Sequence, residues 1–286
     1  MTRVFCVANQ KGGVGKTTTA MNLAAGLARS GAHALLVDLD PQCNATAGFG
    51  QQPTMTHPLV QRVPLSEGVL PTTVAGLELL PGSRSFRDVE LLTRDDPEQS
   101  ARVRDQLQTG FGGYDFVLID CPPSLGPLTR TALSSSTEVF MPIQCEYFAM
   151  EGLAQMIEVI REVMQEGVGP AANVGQVVDL PAQEPAVGQV VNLPVSETRQ
   201  VDDLPHMPLQ FGGIVLTMYD HTLELTHEVD EEVRDFFGEI VFRTVIPRDV
   251  AVSEAPSHGR SVIDYAPRSR GARAYVELCM EVLERE

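Results

Sequence analysis

The sequence feature that most constrains the fold is a glycine-rich loop between a strand pattern and a helix pattern. Residues 3 to 9 (RVFCVAN) form a short apolar run with valine and phenylalanine. The stretch QKGGVGK follows, and then TTTAMNLAAGLARSG, which places alanine and leucine at helical spacing before a glycine at position 31. This order predicts strand, loop and helix. It is the local arrangement that a phosphate-binding loop requires.

Lysine occurs only in this loop. The chain has 21 lysines and arginines together, and Lys11 and Lys16 are its two lysines. A compact ammonium on a thin stem fits inside a tight loop, whereas a planar guanidinium with forked donors does not. The loop therefore needs a property of lysine that arginine lacks.

Six further strand patterns and four helix patterns predict the fold class. The strands are expected at residues 33–40, 76–82, 114–123, 137–143, 211–220 and 238–247, and the helices at 88–108, 148–166, 221–237 and 271–285. Strands that are apolar throughout and separated by helices indicate a parallel sheet covered on both faces. We predict one α/β domain over residues 1–286, with a doubly wound, mostly parallel sheet of the P-loop NTPase type.

Residues 168–208 interrupt this alternation of strand and helix patterns. They are rich in proline, and the octapeptide VGQVVDLP at 174–181 recurs as VGQVVNLP at 187–194. Two copies are too few for a solenoid, and connections in such folds usually take about 2–6 residues. The segment is predicted to be a disordered insertion, with a docking element for a partner as the alternative.

Composition limits the class of protein. No run of eighteen apolar residues predicts a membrane span, and the N-terminus lacks a signal-peptide pattern, so a cytoplasmic protein is expected. The five cysteines form no CxxC pair and the six histidines show no metal-ligand spacing. The formal charge of −17 argues against a surface that is basic all over. Residues 234–273 nevertheless hold seven arginines against five acidic residues, which predicts either a basic face or arginines paired with acidic neighbours.

The loop chemistry assigns different roles to its side chains. Backbone N–H groups and the helix N-terminus bind phosphate oxygens, Lys16 reaches the β- and γ-phosphates, and the Thr17 hydroxyl coordinates Mg²⁺. The usual pattern G-x-x-x-x-G-K-[ST] fails at its first position, where this chain has Gln10. Lys11 and Gly12 follow instead.

That departure carries a resemblance. KGGVGKT at residues 11–17 resembles the deviant Walker A motif of the ParA/MinD group of P-loop ATPases. The resemblance implies an ATP-bound sandwich homodimer in which Lys11 crosses to the partner's phosphates, Lys16 and Thr17 act on their own nucleotide, and Gly12 lies at the close subunit contact. The implied phosphate-binding residues are Lys11, Gly12, Gly13, Val14, Gly15, Lys16, Thr17 and Thr18.

Two more segments match the group. VDLDPQCNAT at 37–46 resembles its switch segment, which implies that Asp40 orients the attacking water near the metal. FVLIDCPPS at 116–124 resembles a Walker B strand, which implies that Asp120 holds the Mg²⁺ hydration shell. The implied catalytic set is Lys11, Lys16 and Asp40, and the metal set is Thr17, Asp40 and Asp120. Asp38, by contrast, is expected to satisfy backbone donors or to pair with a cation.

The segments EYFAMEGL, LTMYD and IPRDVAVSEAPSHGRSVIDYAPRSRGARAY resemble the Soj/ParA chromosome-partitioning branch. This resemblance implies an ATP- and Mg²⁺-dependent, weakly active ATPase in the cytoplasm, associated with the nucleoid. Its dimer binds double-stranded DNA without sequence preference and is stimulated by a ParB-like centromere-binding partner. Met218, Pro247 and Asp249 are implied near the adenine, although the family often has Asn where this chain has Asp249. The implied DNA contacts are Arg234, Arg268, Arg270 and Arg273.

The alternatives are a MinD-like membrane-cycling ATPase and a metabolic P-loop enzyme or iron–sulfur carrier with the same loop. A MinD-like membrane-cycling ATPase uses a basic amphipathic C-terminal helix, but the last ten residues here carry four glutamates and one arginine. That helix is predicted to pack on the sheet, without membrane contact. Iron–sulfur carriers with a similar loop need paired cysteines, and Cys121 has no partner at suitable spacing.

Overall fold

The computed structural model describes residues 2–86, 97–146, 149–166 and 209–285. The predicted insertion at 168–208, with its repeat, lies outside the described residues. So does the start of the helix predicted at 88–108.

The described part of the chain contains one eight-stranded sheet. The order of its strands is β3-β4-β2-β5-β1-β6-β7-β8. All pairs are parallel except β3 with β4. The strands are β1 (Arg3–Val7), β2 (Ala34–Asp38), β3 (Leu70–Pro71), β4 (Leu77–Leu80), β5 (Phe116–Asp120), β6 (Glu138–Gln144), β7 (Gln210–Tyr219) and β8 (Val241–Pro247). Because β1 lies between β5 and β6, the loop after β1 is at the middle of the carboxyl edge, where ligands bind in such sheets.

Helices cover both faces of the sheet, which confirms the predicted doubly wound α/β class. One buried cluster packs under α4 to α7, and another packs under α1, α9 and α10. The helices of the described residues are α1 (Lys16–Arg29), α2 (Asn44–Gly48), α3 (Pro58–Gln61), α4 (Pro97–Gly110), α5 (Pro127–Ser134), α6 (Ala149–Glu166), α7 (Glu224–Phe237), α8 (Val250–Glu254), α9 (Val262–Tyr265) and α10 (Arg270–Glu284).

The C-terminal helix α10 packs on α1 and β8, as its sequence predicts. The side chains of Tyr275, Leu278 and Val282 are buried. A Cβ added at Gly26 of α1 would lie 2.2 Å from the Sγ of Cys279, so only glycine allows the two helices to approach this closely. Among the described residues, no helix has both the length and the apolar content needed to cross a membrane.

Some elements differ from the sequence prediction. Helix α5 was not predicted, because its eight residues (PLTRTALS) are rich in threonine and serine and form barely two turns. The two-residue strand β3 and the short helices α2, α3, α8 and α9 were also missed. The predicted strand at 33–40 ends instead at Asp38, and its last residues belong to the loop that carries Asp40. The structure therefore assigns to loops several residues whose side chains carry the chemistry of the site.

Candidate functional site

The glycine-rich loop lies at the carboxyl end of β1 and opens into α1. Gly13 and Gly15 have φ values of 80° and 88°, a left-handed backbone that other residues rarely adopt. Two neighbouring side chains hold the loop. The Asn9 side chain accepts a hydrogen bond from Lys11 N (3.0 Å) and donates to Pro142 O (2.8 Å), while the Thr217 hydroxyl is 2.9 Å from Val14 O. The loop is therefore preorganised.

The two lysines have different surroundings. Lys16 is only 6% exposed, and its Nζ donates to Lys11 O at 2.9 Å. Burial lowers the pKa of Lys16, against the opposing charge of Asp120. The Lys11 side chain instead leaves the loop and pairs with Glu146 at an Nζ–Oε2 distance of 2.5 Å, with the two side chains 39% and 47% exposed. Lys16 thus lies inside its own loop, and Lys11 lies at the loop's outer edge.

Three aspartates lie close together at the carboxyl edge of the sheet, two at neighbouring strand ends and one just after β2. Asp38 and Asp120 are register partners on β2 and β5, both fully buried, and Asp40 is also buried. Burial raises the pKa of Asp120 well above its usual range, and the charge of Asp38 raises it further. Carboxylates so close together favour a nearby cation.

The residues at this point fit a magnesium ion. Both carboxylate oxygens of Asp120 are buried, and among the described residues neither has a partner within strict hydrogen-bond geometry. Burial raises the pKa of Asp120, and the nearby Thr17 hydroxyl and the charge of Lys16 lower it only in part. The desolvation of this carboxylate is therefore incompletely compensated, and a bound cation would compensate it further. Thr17, in the first turn of α1, is partly buried at the same edge. No group of three His, Cys, Asp or Glu side chains within the described ranges has metal-ligand geometry, and Mg²⁺ commonly keeps several waters and takes only one or two carboxylates.

Asp38 satisfies neighbouring donors, which is one of the two roles expected for it. Its Oδ2 accepts hydrogen bonds from Thr46 N (2.8 Å) and Thr46 Oγ1 (2.6 Å), and its Oδ1 accepts one from Asp40 N (3.2 Å). Burial raises the pKa of Asp38 to about 6, against the lowering effect of the Thr46 hydrogen bonds. Sequence reasoning did not identify Thr46.

The proposed adenine residues lie at or just after the carboxyl ends of β7 and β8. Tyr219 and Pro247 are register partners at the ends of β7 and β8, and Met218 lies between Tyr219 and the loop-contacting Thr217. Asp249 caps α8 by accepting from Ala251 N, and its Oδ2 accepts from Gly271 N at 2.8 Å. The backbone therefore engages both oxygens of the Asp249 carboxylate.

The four proposed DNA-contact arginines fall into two groups. Arg234 on α7 pairs with Asp230 (2.5 Å) and donates to Phe242 O (3.1 Å). The other three are exposed around the start of α10 and are joined by Arg248: Arg270 donates to Arg248 O (3.5 Å) and Arg273 donates to Arg268 O (3.0 Å). Unlike Arg234, these three arginines and Arg248 make no ion pair with a described residue. We call Arg248, Arg268, Arg270 and Arg273 the arginine patch.

Helix α7 has the opposite charge. Its exposed surface carries Glu224, Glu228, Glu231, Glu232 and Asp235. Like charges at i,i+3 and i,i+4 repel each other and any polyanion. The arginine patch and the surface around Arg234 are therefore electrostatically different.

A cysteine pair lies beneath the site and was missed by spacing arguments. The sulfur atoms of Cys6 on β1 and Cys121 after β5 are 3.3 Å apart, and both residues are fully buried. The two positions are 115 residues apart in sequence, and only the pairing of β1 with β5 brings them together. All five cysteines are free thiols.

The fold, the loop and the buried carboxylate together define the class of P-loop NTPases. The family model described as "AAA domain" matches residues 2–171. Over 99% of its length, the chain is 41% identical to the chromosome-partitioning ATPase Soj of Thermus thermophilus, of which it covers 96%, and 37% identical to the chromosome partitioning protein ParA of Myxococcus xanthus, of which it covers 89%. The structure of cobyrinic acid a,c-diamide synthase from Mycobacterium smegmatis with bound ADP and magnesium is 29% identical, with a TM-score of 0.74, over 99% of this chain and 95% of that one.

The chain belongs to the ParA/Soj family of chromosome-partitioning P-loop ATPases. The resemblance that the sequence motifs carry is thereby confirmed.

Proposed function

We propose that this protein is an ATP-dependent DNA partition ATPase. ATP and Mg²⁺ assemble a sandwich homodimer, the dimer binds double-stranded DNA without sequence preference, and a ParB-like partner stimulates weak intrinsic hydrolysis. The observation that carries this proposal is the contrast between the lysines. Lys16 is buried within its own loop, whereas the Lys11 side chain is 39% exposed and pairs with Glu146, from which it would turn to the nucleotide of a second subunit.

Each site residue then has a chemical role. The loop N–H groups of residues 11–18 and the start of α1 bind the phosphates, and Lys16 neutralises the charge that moves toward the leaving group. Thr17 and Asp120 hold the magnesium ion, which supplies further charge neutralisation when it is bound. Asp40 orients the attacking water, and Lys11 of each subunit stabilises charge on the partner's nucleotide. Met218, Pro247 and Asp249 border the base.

The DNA is proposed to bind at the arginine patch. Exposed guanidinium groups without carboxylate partners can displace counterions from phosphates at little cost, whereas Arg234 would have to leave Asp230 and approach DNA beside the acidic face of α7. We therefore assign the principal contacts to Arg268, Arg270 and Arg273, and a secondary one to Arg234. Such a dimer would reside on the nucleoid in the cytoplasm.

The packing of α10 disfavours the membrane-cycling alternative. A MinD-like helix must offer its apolar side to lipid, and here Tyr275, Leu278 and Val282 are buried against α1 and β8. Liposome pelleting with and without ATP tests this alternative directly. Pelleting that depends on ATP and anionic lipid would favour it.

A titration of duplex DNA tests the DNA half of the proposal. The full chain is titrated with ATP, ADP or no nucleotide, each at two salt concentrations, and light scattering follows the oligomeric state. We expect binding and dimerisation with ATP alone, and weaker binding at the higher salt. An ATP-loaded protein that fails to bind duplex even at low salt would refute DNA binding, and an ATP-loaded monomer would refute the sandwich dimer.

A further inference from the structure

The carboxylate of Asp38 joins three segments of the chain. From the end of β2 it accepts two hydrogen bonds from Thr46 of α2, at 2.8 Å from the backbone N and 2.6 Å from the hydroxyl. The Thr46 hydroxyl in turn accepts a hydrogen bond from Gly82 N (2.8 Å), in the segment after β4. A fully buried carboxylate is costly unless donors satisfy it, and these contacts provide them.

The segment between Asp38 and Thr46 carries Asp40. We call residues 39–43 the hydrolysis loop. Its start is fixed by Leu39 N, which donates to Asp120 O at 2.9 Å, and its turn is closed by Cys43 N, which donates to Asp40 O at 2.8 Å. Asp40 N donates to Asp38 Oδ1 (3.2 Å), so the residue that carries the water-orienting carboxylate is bonded to Asp38 directly. Asp38 and Thr46 thus hold both ends of the hydrolysis loop.

Gly82 packs directly against the Asp38 carboxylate. A Cβ added at Gly82 would lie 2.9 Å from Asp38 Cγ, 3.1 Å from its Oδ2 and 3.1 Å from Cys43 Sγ. Contacts this short require a neighbour to move. Any side chain at Gly82 would therefore press on the same carboxylate oxygen that Thr46 bonds, and on Cys43 at the end of the hydrolysis loop.

We propose that Asp38 and Thr46 are positioning residues for ATP hydrolysis, which hold the hydrolysis loop so that Asp40 stays at a fixed place opposite Lys16 and Asp120. The inference rests on the proposed ATPase function. Neither residue contacts the nucleotide in this account. Their contribution is the placement of Asp40, whose ability to orient water depends on distances of a few tenths of an ångström.

Steady-state kinetics of the full chain with ATP and Mg²⁺ tests this role. Thr46→Val keeps the side-chain shape and the backbone donor but removes the hydroxyl. We expect it to lower kcat by roughly 10- to 100-fold with KM for ATP changed by less than about threefold, because misplacement affects the reaction and not ground-state binding. Thr46→Ser should restore kcat. Gly82→Ala, which would press on the same carboxylate, should give the same split between kcat and KM.

Ser135→Ala is the matched control. It also removes a buried hydroxyl, 2.7 Å from Thr131 O in α5, and it lies outside the site. Ser135→Ala loses one buried hydrogen bond and Thr46→Val loses two, so both should destabilise the fold, Thr46→Val by the larger amount. Only Thr46→Val should lower kcat. If Thr46→Val does not fold, Gly82→Ala carries the kinetic test.

Hydrogen exchange provides a readout that does not require hydrolysis. Thr46→Val should accelerate amide exchange in the peptide that contains residues 39–46, and Ser135→Ala should not. Unchanged exchange there, or a kcat within twofold of wild type, would overturn the positioning role while the wild-type ATPase stands. A wild-type protein that hydrolyses no ATP would instead refute the proposed function and with it the positioning role of Asp38 and Thr46.

Discussion

The glycine-rich loop and the arginine patch are both cationic regions of a chain with a net charge of −17, and they are built in opposite ways. The loop surrounds one buried lysine with backbone dipoles, and the carboxylates of Asp120 and Asp40 lie near enough to act on its charge. The patch exposes four guanidinium groups around the start of α10, with no carboxylate paired to them among the described residues. A buried, preorganised site suits a compact anion in one orientation, and an exposed patch suits a long polyanion in many.

The charges explain why neither region can replace the other. A lysine that is desolvated within the loop attracts an anion more strongly, because the local dielectric constant is low, but its ammonium group cannot extend toward a distant ligand. An exposed arginine keeps its reach but is screened by salt. Nucleotide binding should therefore depend weakly on ionic strength compared with DNA binding.

The largest expected effect is that of Lys16→Ala. Hydrogen bonds to charged groups contribute about 1.5–3 kcal/mol, so we expect ATP affinity to fall by roughly 10- to 100-fold or more. Lys11→Ala should keep ATP affinity in the monomer and lose the ATP-induced dimer and hydrolysis. For both variants, isothermal titration calorimetry measures the affinity for ATP and light scattering measures the ATP-induced dimer. Equal losses of nucleotide affinity in the two variants would contradict the trans role of Lys11.

The next effect concerns DNA. Replacing Arg268, Arg270 and Arg273 together by alanine should weaken duplex binding and reduce the salt slope by about 3, because each lost phosphate contact reduces it by about 1. ATP affinity should not change. The matched control replaces three arginines on helices of the other sheet face, Arg104, Arg130 and Arg161. If the control weakens DNA binding equally, net charge and not the patch determines affinity.

Gly12→Val separates the subunit contact from the loop. A Cβ at Gly12 would meet only Pro123, at 3.9 Å, and the residue does not have a positive φ, so neither the Cβ position nor the backbone of one subunit opposes the substitution. We expect ATP binding by the monomer to persist while the dimer is lost, because the added methyl groups obstruct the partner. Sedimentation with ATP measures this. A dimer of normal stability would place Gly12 away from the subunit contact.

A smaller effect is expected where α10 joins β8. Glu281 accepts hydrogen bonds from Arg243 N (2.8 Å) and Thr244 N (3.1 Å), and although burial opposes it, these bonds lower the pKa of Glu281. Glu281→Gln should reduce the free energy of unfolding by about 1–3 kcal/mol at neutral pH. Because the folded-state pKa is depressed, this stabilisation is present above the unfolded pKa and disappears as pH falls through the folded value. Urea unfolding at several pH values checks it, and a gap between the two proteins that stays constant down to acid pH would contradict it.

The smallest effect is that of the Lys11–Glu146 ion pair. Both side chains are partly exposed, so the ion pair should contribute little to stability. In a double-mutant cycle of Lys11→Met and Glu146→Gln, the coupling in the free energy of unfolding should be about 0.2–1 kcal/mol for the nucleotide-free protein. If Lys11 moves to the partner's nucleotide, the coupling should disappear with ATP. The Arg130–Glu162 pair has similar exposure and an N–O distance of 2.6 Å, and it serves as the control, since its coupling should not respond to ATP. A Lys11–Glu146 coupling that ATP leaves unchanged would show that Lys11 stays in its own subunit.

Much of the glycine-rich loop could be predicted from local sequence, because the residues that give it its chemistry lie within eight positions of one another. Glycines at positions of left-handed backbone, a lysine and a threonine at the start of a helix, and an aspartate at a strand end are all short-range signals. The roles of Lys11, Asp40 and Asp120 came from resemblance, and they remain predictions that the geometry accommodates.

The basic segment was less accessible to sequence reasoning. The sequence predicts DNA contacts both at Arg234 and at the arginines around the start of α10. The structure pairs Arg234 with Asp230 and places it beside the acidic face of α7. Arg248 joins the patch through Arg270, 22 positions away. Composition counts charges, whereas pairing between charges depends on which helix faces which strand.

The sequence by itself determined the α/β class and the position of the loop, because hydrophobic periodicity and glycine placement act over a few residues. The separate roles of the two lysines are what the family resemblance implies. Only the tertiary structure decided that Lys11 meets Glu146, that Thr46 and Gly82 pack against Asp38, and that Cys6 lies against Cys121. Those contacts join residues from 8 to 135 positions apart. They exist because strand order and register bring distant segments to one edge of the sheet, and local sequence patterns carry no information about either.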